Sequence, residues 1–234
     1  MTDVVYIVGT GSKMGNDELR YSLRSIEKHL KNVGNVYVIG HRPEWVTNVT
    51  HIPCNDEPGD KGLNIRSKTA LAIGDNRVSE HFLKVYDDHF LLSDFSADNF
   101  PYFVRETLEE ASQRLKGNAG YARKYAVTRK VLEDAGKPTL NYNLHSPFPI
   151  VKRHYFVPAD KDVLIKSFYA NFNHCPFERS KDYKLFEKKS MHTYLNDLIG
   201  ARFFSVSDKA ICSGLKELFQ YLYPHKSKYE NDNR

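Results

Sequence analysis

Two short apolar runs, VVYIVG at 4–9 and NVYVIG at 35–40, flank a segment whose apolar residues recur at helical spacing. That order constrains the fold more than any other feature of the chain. Both runs are rich in β-branched residues and end at glycine, as strands buried on both faces do. Between them, NDELRYSLRSIEKHLKNVG puts Leu19, Leu23, Ile26 and Leu30 on one helical face. Asn16 or Asp17 is available as a cap and Gly34 follows its end. NVTHIPC at 48–54 reads as a weaker third strand, and the loop NDEPGDKG leads to a helix from about Asn64 to Ile73. FLKVYD is a fourth strand, ending at the carboxylate pair Asp87 and Asp88.

Strands alternating with helices predict an α/β fold with a mostly parallel, Rossmann-like central sheet and flanking helices. In open sheets of this kind ligands bind beyond the carboxyl ends of the strands. The turn GTGSK and the aspartate pair therefore belong on one edge. The second half is predicted to be largely helical, over FVRETLEEASQRLK, YAVTRKVLEDAG and roughly 160–170, 183–199 and 213–223. NYNLHSPFPIVKRHYF links these helices, and the aromatic runs FFSVSD and LFQYLYP read as core. The expected organisation is one domain with two halves, 1–100 and 101–234.

At 234 residues, 41% hydrophobic and 27% charged, the chain can bury a sizeable core. DVVYIVG reads as a strand and not as a signal peptide, and no apolar stretch approaches the roughly 20 residues of a membrane span. Cys54, Cys175 and Cys212 are too scattered for a disulfide framework or a CxxC zinc pattern. The expected setting is the cytoplasm of a bacterial or virus-infected cell. A net charge of +5 suits an anionic partner: a nucleotide-sugar, an anionic glycan or nucleic acid.

Two carboxylates at a strand end can anchor Mg²⁺ or Mn²⁺, with water and phosphate oxygens completing the coordination. They can equally start a turn or cap a helix. His89 is either a third contact or a packing residue.

Beyond these local readings, NDELRYSLRSIEKHLKNVGNVYVIGHRPEW resembles the second conserved region of the Stealth family. VTHIPCND, NIRSKTALA and SEHFLKVYDDHFLL continue the pattern in the same order. NLHSPFPIVK is similar to the family's short His-Pro region, and LFQYLYPHKSKYE to its C-terminal ending. Stealth proteins include capsular polysaccharide phosphotransferases and a GlcNAc-1-phosphotransferase, on a fold related to GT-A nucleotide-sugar-binding domains. The resemblance implies a GT-A-like fold with the nucleotide-sugar donor, a UDP-sugar above all, in the first half and the acceptor side in the second. It also implies a divalent metal and transfer of sugar-1-phosphate to an acceptor hydroxyl on a glycan or similar molecule. The family's first region has the form D-[IV]-V-[YF]-T-W-V-[DN]-G-[ST]-D. DVVYIVGTGSK keeps its strand and Gly-Ser turn without its Trp and acidic residues, which leaves plain glycosyl transfer open as well.

On this reading Gly9, Thr10, Gly11 and Ser12 cradle the donor through backbone amides, or form no more than a tight strand-to-helix turn. Glu18, Arg20 and Arg24 lie on the first helix, and the two arginines, one turn apart, could clamp a diphosphate. Asn64, Arg66 and Lys68 open the second helix as further donor contacts. Asp87 and Asp88 are the metal ligands, Asp88 with a catalytic role, and His145 is the candidate general base. His174 is its rival, and Asp208 and Lys209 are further candidates near the site. Trp45 is either a cover for the site or a core anchor. Two alternatives stand beside a glycan-directed transferase. One is a DNA glycosyltransferase acting on hydroxylated bases of viral DNA, supported by RKYAVTRK at 123–130. The other is a non-catalytic nucleotide-sugar-binding module.

Overall fold

The computed structural model describes residues 1–231 and divides into two compact units. Unit 1 comprises Met1–Phe100, His145–Pro149 and Tyr183–Arg234, and unit 2 comprises Pro101–Leu144 and Ile150–Asp182.

Unit 1 opens with β1 (Thr2–Val8), α1 (Asp17–His29), the short β2 (Leu30–Lys31), β3 (Val33–Gly40) and β4 (Thr50–Ile52). It continues through α2 (Lys61–Gly74), β5 (His81–Tyr86), β6 (His89–Leu91) and β7 (Phe95–Ser96). Unit 2 contributes β8 (Tyr102–Val104), α3 (Leu108–Arg114) and α4 (Ala119–Asp134). β9 (Phe148–Val151) follows, then α5 (Ile165–Phe172) and β10 (Phe177–Arg179) of unit 2. The chain finishes in unit 1 with β11 (Lys184–Leu185), α6 (Met191–Asp197), β12 (Phe203–Val206) and α7 (Ser213–Leu222). The result is a mixed α/β protein with a mostly parallel central sheet.

That sheet runs β4-β3-β1-β5-β9. β1 lies parallel to both β3 and β5, and β3 parallel to β4. Residues 4–8 are almost entirely shielded from solvent, which explains their unbroken apolar run: no face of β1 needs a polar side chain. From β1 the chain first travels outward through α1 to β3 and β4, then returns through α2 to β5 on β1's other side. The strand order therefore reverses between β1 and β5, and their carboxyl ends flank a topological switch point.

The apolar stripe Leu19, Leu23, Ile26 and Leu30 is buried as expected, but the first helix stops at His29. Leu30 and Lys31 instead pair with Phe95 and Ser96 as β2 and β7. Asn16 occupies the N-cap position in a left-handed conformation and makes no side-chain cap bond. The second helix begins at Lys61, three residues earlier than expected, because Asp60 caps it by accepting from Leu63 N.

The C-terminal part is less helical than the sequence pattern implied. Unit 2 begins at Pro101, and from Tyr183 the chain returns to unit 1. FFSV, read as core, is the buried strand β12, antiparallel to β6. The helix expected from 183 starts only at Met191, since Lys184 and Leu185 pair with β12 first. A second core of unit 1 forms there, where Phe90 stacks on Phe204 among Tyr194, Leu215 and Phe219. Unit 2 has its own core of Leu108, Ala111, Tyr125, Leu132, Val163 and Phe168. Among the described residues no helix is long and apolar enough to cross a membrane.

Candidate functional site at the carboxyl edge of the sheet

β1 and β5 pair in register to Ile7 and Tyr86, so Val8 and Asp87 are the next residues on each strand. This brings the GTGS turn and the aspartate pair to one sheet edge, as the sequence order implied. The turn carrying Asp87 and Asp88 is held from both sides. On one side, Ser22 Oγ donates to His89 O at 2.5 Å and Leu91 N donates to Ser25 Oγ at 3.2 Å, which ties β6 to α1. The two buried serines of RYSLRS thus serve as anchors for a neighbouring strand, with Tyr6 Oη 2.9 Å from Ser22 Oγ completing the cluster. On the other side, Val206 N of β12 donates to Asp88 O at 3.3 Å.

Four carboxylates gather at this edge; Asp88 and Asp208 each have a lysine within 4 Å, and among the described residues Asp87 and Glu18 have none. Burial raises the Asp87 carboxyl to about 7, and the neighbouring charges of Asp88 and Glu18 push in the same direction. Glu18 is also raised, first by burial, despite the 2.7 Å bond it accepts from Ser12 Oγ; Asp208 adds repulsion. Asp88 lies 3.7 Å from Lys184 Nζ and 3.8 Å from His89 Nε2. Asp208 lies 3.6 Å from Lys13, so it reaches the GTGSK turn, while Lys209 is exposed beside it. His89 is buried, and its Nδ1 accepts from Tyr86 N at 3.5 Å.

The turn after β1 is organised by side chains. Ser12 Oγ accepts from Met14 N and Asn16 N at 3.2 and 2.8 Å. Thr10 donates from its backbone N and its hydroxyl to Asp56 Oδ2 at 3.0 and 3.3 Å. Gly11 faces open space, where a Cβ would meet nothing within 4 Å. Behind the turn, the buried Lys68 Nζ binds Asp56 Oδ1 at 2.5 Å and Val8 O at 2.7 Å. Burial alone would raise Asp56, but the bonds from Lys68 and Thr10 outweigh it and hold the carboxyl below its ordinary value. Gly40 makes this brace possible: its φ is +107°, and a Cβ there would come within 2.1 Å of Val8 O. Lys68, expected to face the donor, is thus a buried strut under the loop.

Arg20 and Arg24 also have a partner other than the expected diphosphate. Arg20 Nη1 donates to Glu230 Oε2 at 2.9 Å, and Arg24 donates from Nε and Nη2 at 2.8 and 2.7 Å. Ser227 N adds a further bond to the same carboxylate at 2.8 Å. Against the cost of burial, these bonds depress Glu230 to about 2. Trp45 is an anchor of this clasp, with Arg20 4.1 Å over its ring and Asn231 N donating to its carbonyl at 2.9 Å.

The other expected residues are dispersed. Asn64 pairs with the backbone of Glu57, accepting at 2.8 Å and donating at 2.9 Å, which closes the loop before α2. Arg66 is half-buried on α2. His145, also half-buried, lies in unit 1 shortly before the edge strand β9. His174 belongs to unit 2, in a left-handed conformation with Nε2 3.2 Å from Lys137 Nζ. Sequence reasoning overlooked Asp56, Lys184 and Glu230. Asp56 carried a usable signal, being an acidic residue in the loop after a strand on the ligand edge.

Among the described residues no three or more His, Cys, Asp or Glu side chains are arranged to hold a metal ion by themselves. Asp87 and Asp88 nevertheless suit Mg²⁺ or Mn²⁺, which take one or two carboxylates and leave the remaining positions to water and phosphate oxygens. No protein-family model matches the chain, and no curated protein does.

Proposed function

We propose that the chain is a metal-dependent transferase in which a GT-A-like unit 1 binds a nucleotide-sugar, a UDP-sugar above all. The reaction passes a glycosyl or sugar-1-phosphate group to an acceptor hydroxyl on a glycan or similar molecule. One observation carries the reading: Asp87 and Asp88 sit where β5 ends beside β1, with Glu18 close by, and burial first, then the charges of Asp88 and Glu18, raise Asp87 to about 7. Strongly perturbed carboxylates of this kind cluster at functional sites, and a bound cation would offset their mutual repulsion. The resemblance of the surrounding segments to Stealth proteins supplies the donor class.

Asp87 and Asp88 would hold Mg²⁺ or Mn²⁺, which supplies charge neutralisation of a leaving diphosphate. Glu18 adds negative potential and, through Ser12, sets the shape of the turn beside it. Gly11 leaves the approach to that turn open, so a phosphate can come close to the backbone. Lys68 and Asp56 keep the turn rigid. His145 is the base proposed to take the acceptor's proton. The roles of Arg20, Arg24 and Lys68 move from donor contact to support of the fold.

The test is thermal denaturation with a panel of nucleotide-sugars, with and without Mn²⁺, on wild type and Asp88→Ala. A ligand that binds the native state raises Tm. Metal-dependent stabilisation by one donor, absent in Asp88→Ala, is the expected result. A folded protein that no donor stabilises in the presence of metal would overturn the reading.

A further inference from the structure

The chain's net charge of +5 is not spread evenly. Unit 2 carries 14 Lys and Arg against 9 Asp and Glu, which is the whole excess, while unit 1 carries 20 of each. Within unit 2, three of these cations and one carboxylate line an open hollow of about 540 Å³ beside α4, bordered by Asn118, Tyr121, Arg123, Lys124, Lys161 and Asp162. That volume is in the range of sites that take a nucleotide-sized group.

The lining has two properties that a merely solvated helix face does not need. Tyr121 is 54% exposed, although burying an aromatic ring is favourable, and Lys124 Nζ stands 5.9 Å from its ring centroid. Among the described residues Lys124 has no carboxylate within ion-pair distance. Arg123 pairs with Asp162 at 3.2 Å, yet its side chain is 74% exposed, so its outer face is still open to a ligand.

We propose that this hollow binds single-stranded nucleic acid, with the cations on backbone phosphates and Tyr121 stacked on a base. Cations interleaved with an exposed ring are the minimum that sequence-tolerant binding of an unpaired strand requires. A duplex keeps its base faces stacked and hidden, and a neutral glycan has no use for the charge. The inference goes beyond the proposed transfer and does not rest on it. Binding itself is a property of unit 2 and is measured without donor or metal, so either reading can fail alone.

The experiment is fluorescence anisotropy of labelled oligo-dT with the full chain, between about 50 and 200 mM salt. Micromolar binding that weakens steeply with salt is expected. Tyr121→Ala should weaken it about fivefold or more, with Tyr121→Trp retaining it. Lys124→Glu combined with Lys161→Glu should weaken it at least about tenfold and flatten the salt dependence. These positions are exposed or half-exposed, and circular dichroism melts would verify that each variant folds. Three results would overturn the proposal: no anisotropy change, equal affinity for duplex, or a Tyr121→Ala variant that binds as wild type while heparin competes as well as oligo-dT. The last would identify an anionic glycan surface instead.

Discussion

Two carboxylates of unit 1, Glu230 and Asp87, meet opposite electrostatic treatment. Glu230 is shielded from solvent and receives two guanidiniums and a backbone amide, which depress it to about 2. Asp87 is half-buried, faces Asp88 and Glu18, and rises to about 7. Glu230 is what a charge looks like when a fold must hold it: every lone pair is assigned and the partners are internal. Asp87, by contrast, has no cation within ion-pair distance among the described residues, and burial leads the causes of its rise. The comparison separates satisfied from unsatisfied charges, which residue type does not, since Arg20, Arg24 and the aspartate pair were all ligand candidates by sequence.

The largest expected effect breaks the satisfied side. Glu230→Ala leaves Arg24 without a carboxylate and Arg20 with only Asp17, and the two arginines are just 12% and 14% exposed. Removing one partner of so enclosed a pair costs about 3 kcal/mol. At this chain length that lowers Tm by roughly 6–12 °C, read by calorimetry. A change of under about 2 °C would show the clasp to be ornamental. Lys68→Met comes next, leaving Asp56 and Val8 O without their shared donor, at a cost of about 2 kcal/mol. It should also lower donor affinity, because the GTGS turn loses its strut.

Asp87→Asn tests the unsatisfied side, and its sign is reversed. The neutral isostere removes repulsion, so the metal-free variant should be more stable than wild type by about 1 kcal/mol near pH 8. It should also lose any metal-dependent rise in Tm. The pH dependence follows from the shifts. Asp87 is raised, so the folded state holds a proton that the unfolded chain has released, and stability falls as pH climbs from about 4 to about 7. Glu230 is depressed, so its contribution is complete above about 4.5 and is lost as pH falls toward about 2. Urea denaturation across pH 2–8 should show the gain of Asp87→Asn vanishing at acid pH. In Glu230→Gln the acid limb of the wild-type curve should be missing. Parallel curves for wild type and both variants would remove the basis of the comparison.

How much of this was legible depended on whether the signal was local. β1, α1, β3 and β5 could be read because each has its own periodicity and its own stops. Asp87 and Asp88 could be read because a strand end is a sequence feature and the parallel order fixes which edge it joins. Glu230 could not be read as the partner of Arg20 and Arg24, since the pairing spans more than 200 residues and nothing local marks it. Lys68 looked exposed because a cation on a polar helix ordinarily is, and only the close approach of Gly40 to Val8 reveals the space it fills. The strands of the C-terminal part are two to four residues long, too short for a period of two to stand out from aromatic core.

The smallest expected effect extends the comparison from anions to cations. Lys68 and Lys84 are both buried, at 2% and 3% exposure, yet only Lys68 has a carboxylate. Lys84, in the middle of β5, has the Tyr86 ring 5.8 Å away and, among the described residues, no anionic group at bonding distance, and burial lowers it to about 8. Its ordinary value is near 10.5, so between about pH 8 and 10.5 the unfolded chain binds a proton that the folded chain does not. Stability from this residue therefore rises with pH through that window and is lowest below it. Lys84→Met should stabilise the protein by up to about 1 kcal/mol at pH 7, with the gain shrinking toward pH 10. A loss of stability at pH 7 would mean that the amine has an anionic partner in solution, and Lys84 would then belong with Lys68 and Glu230 among the satisfied charges.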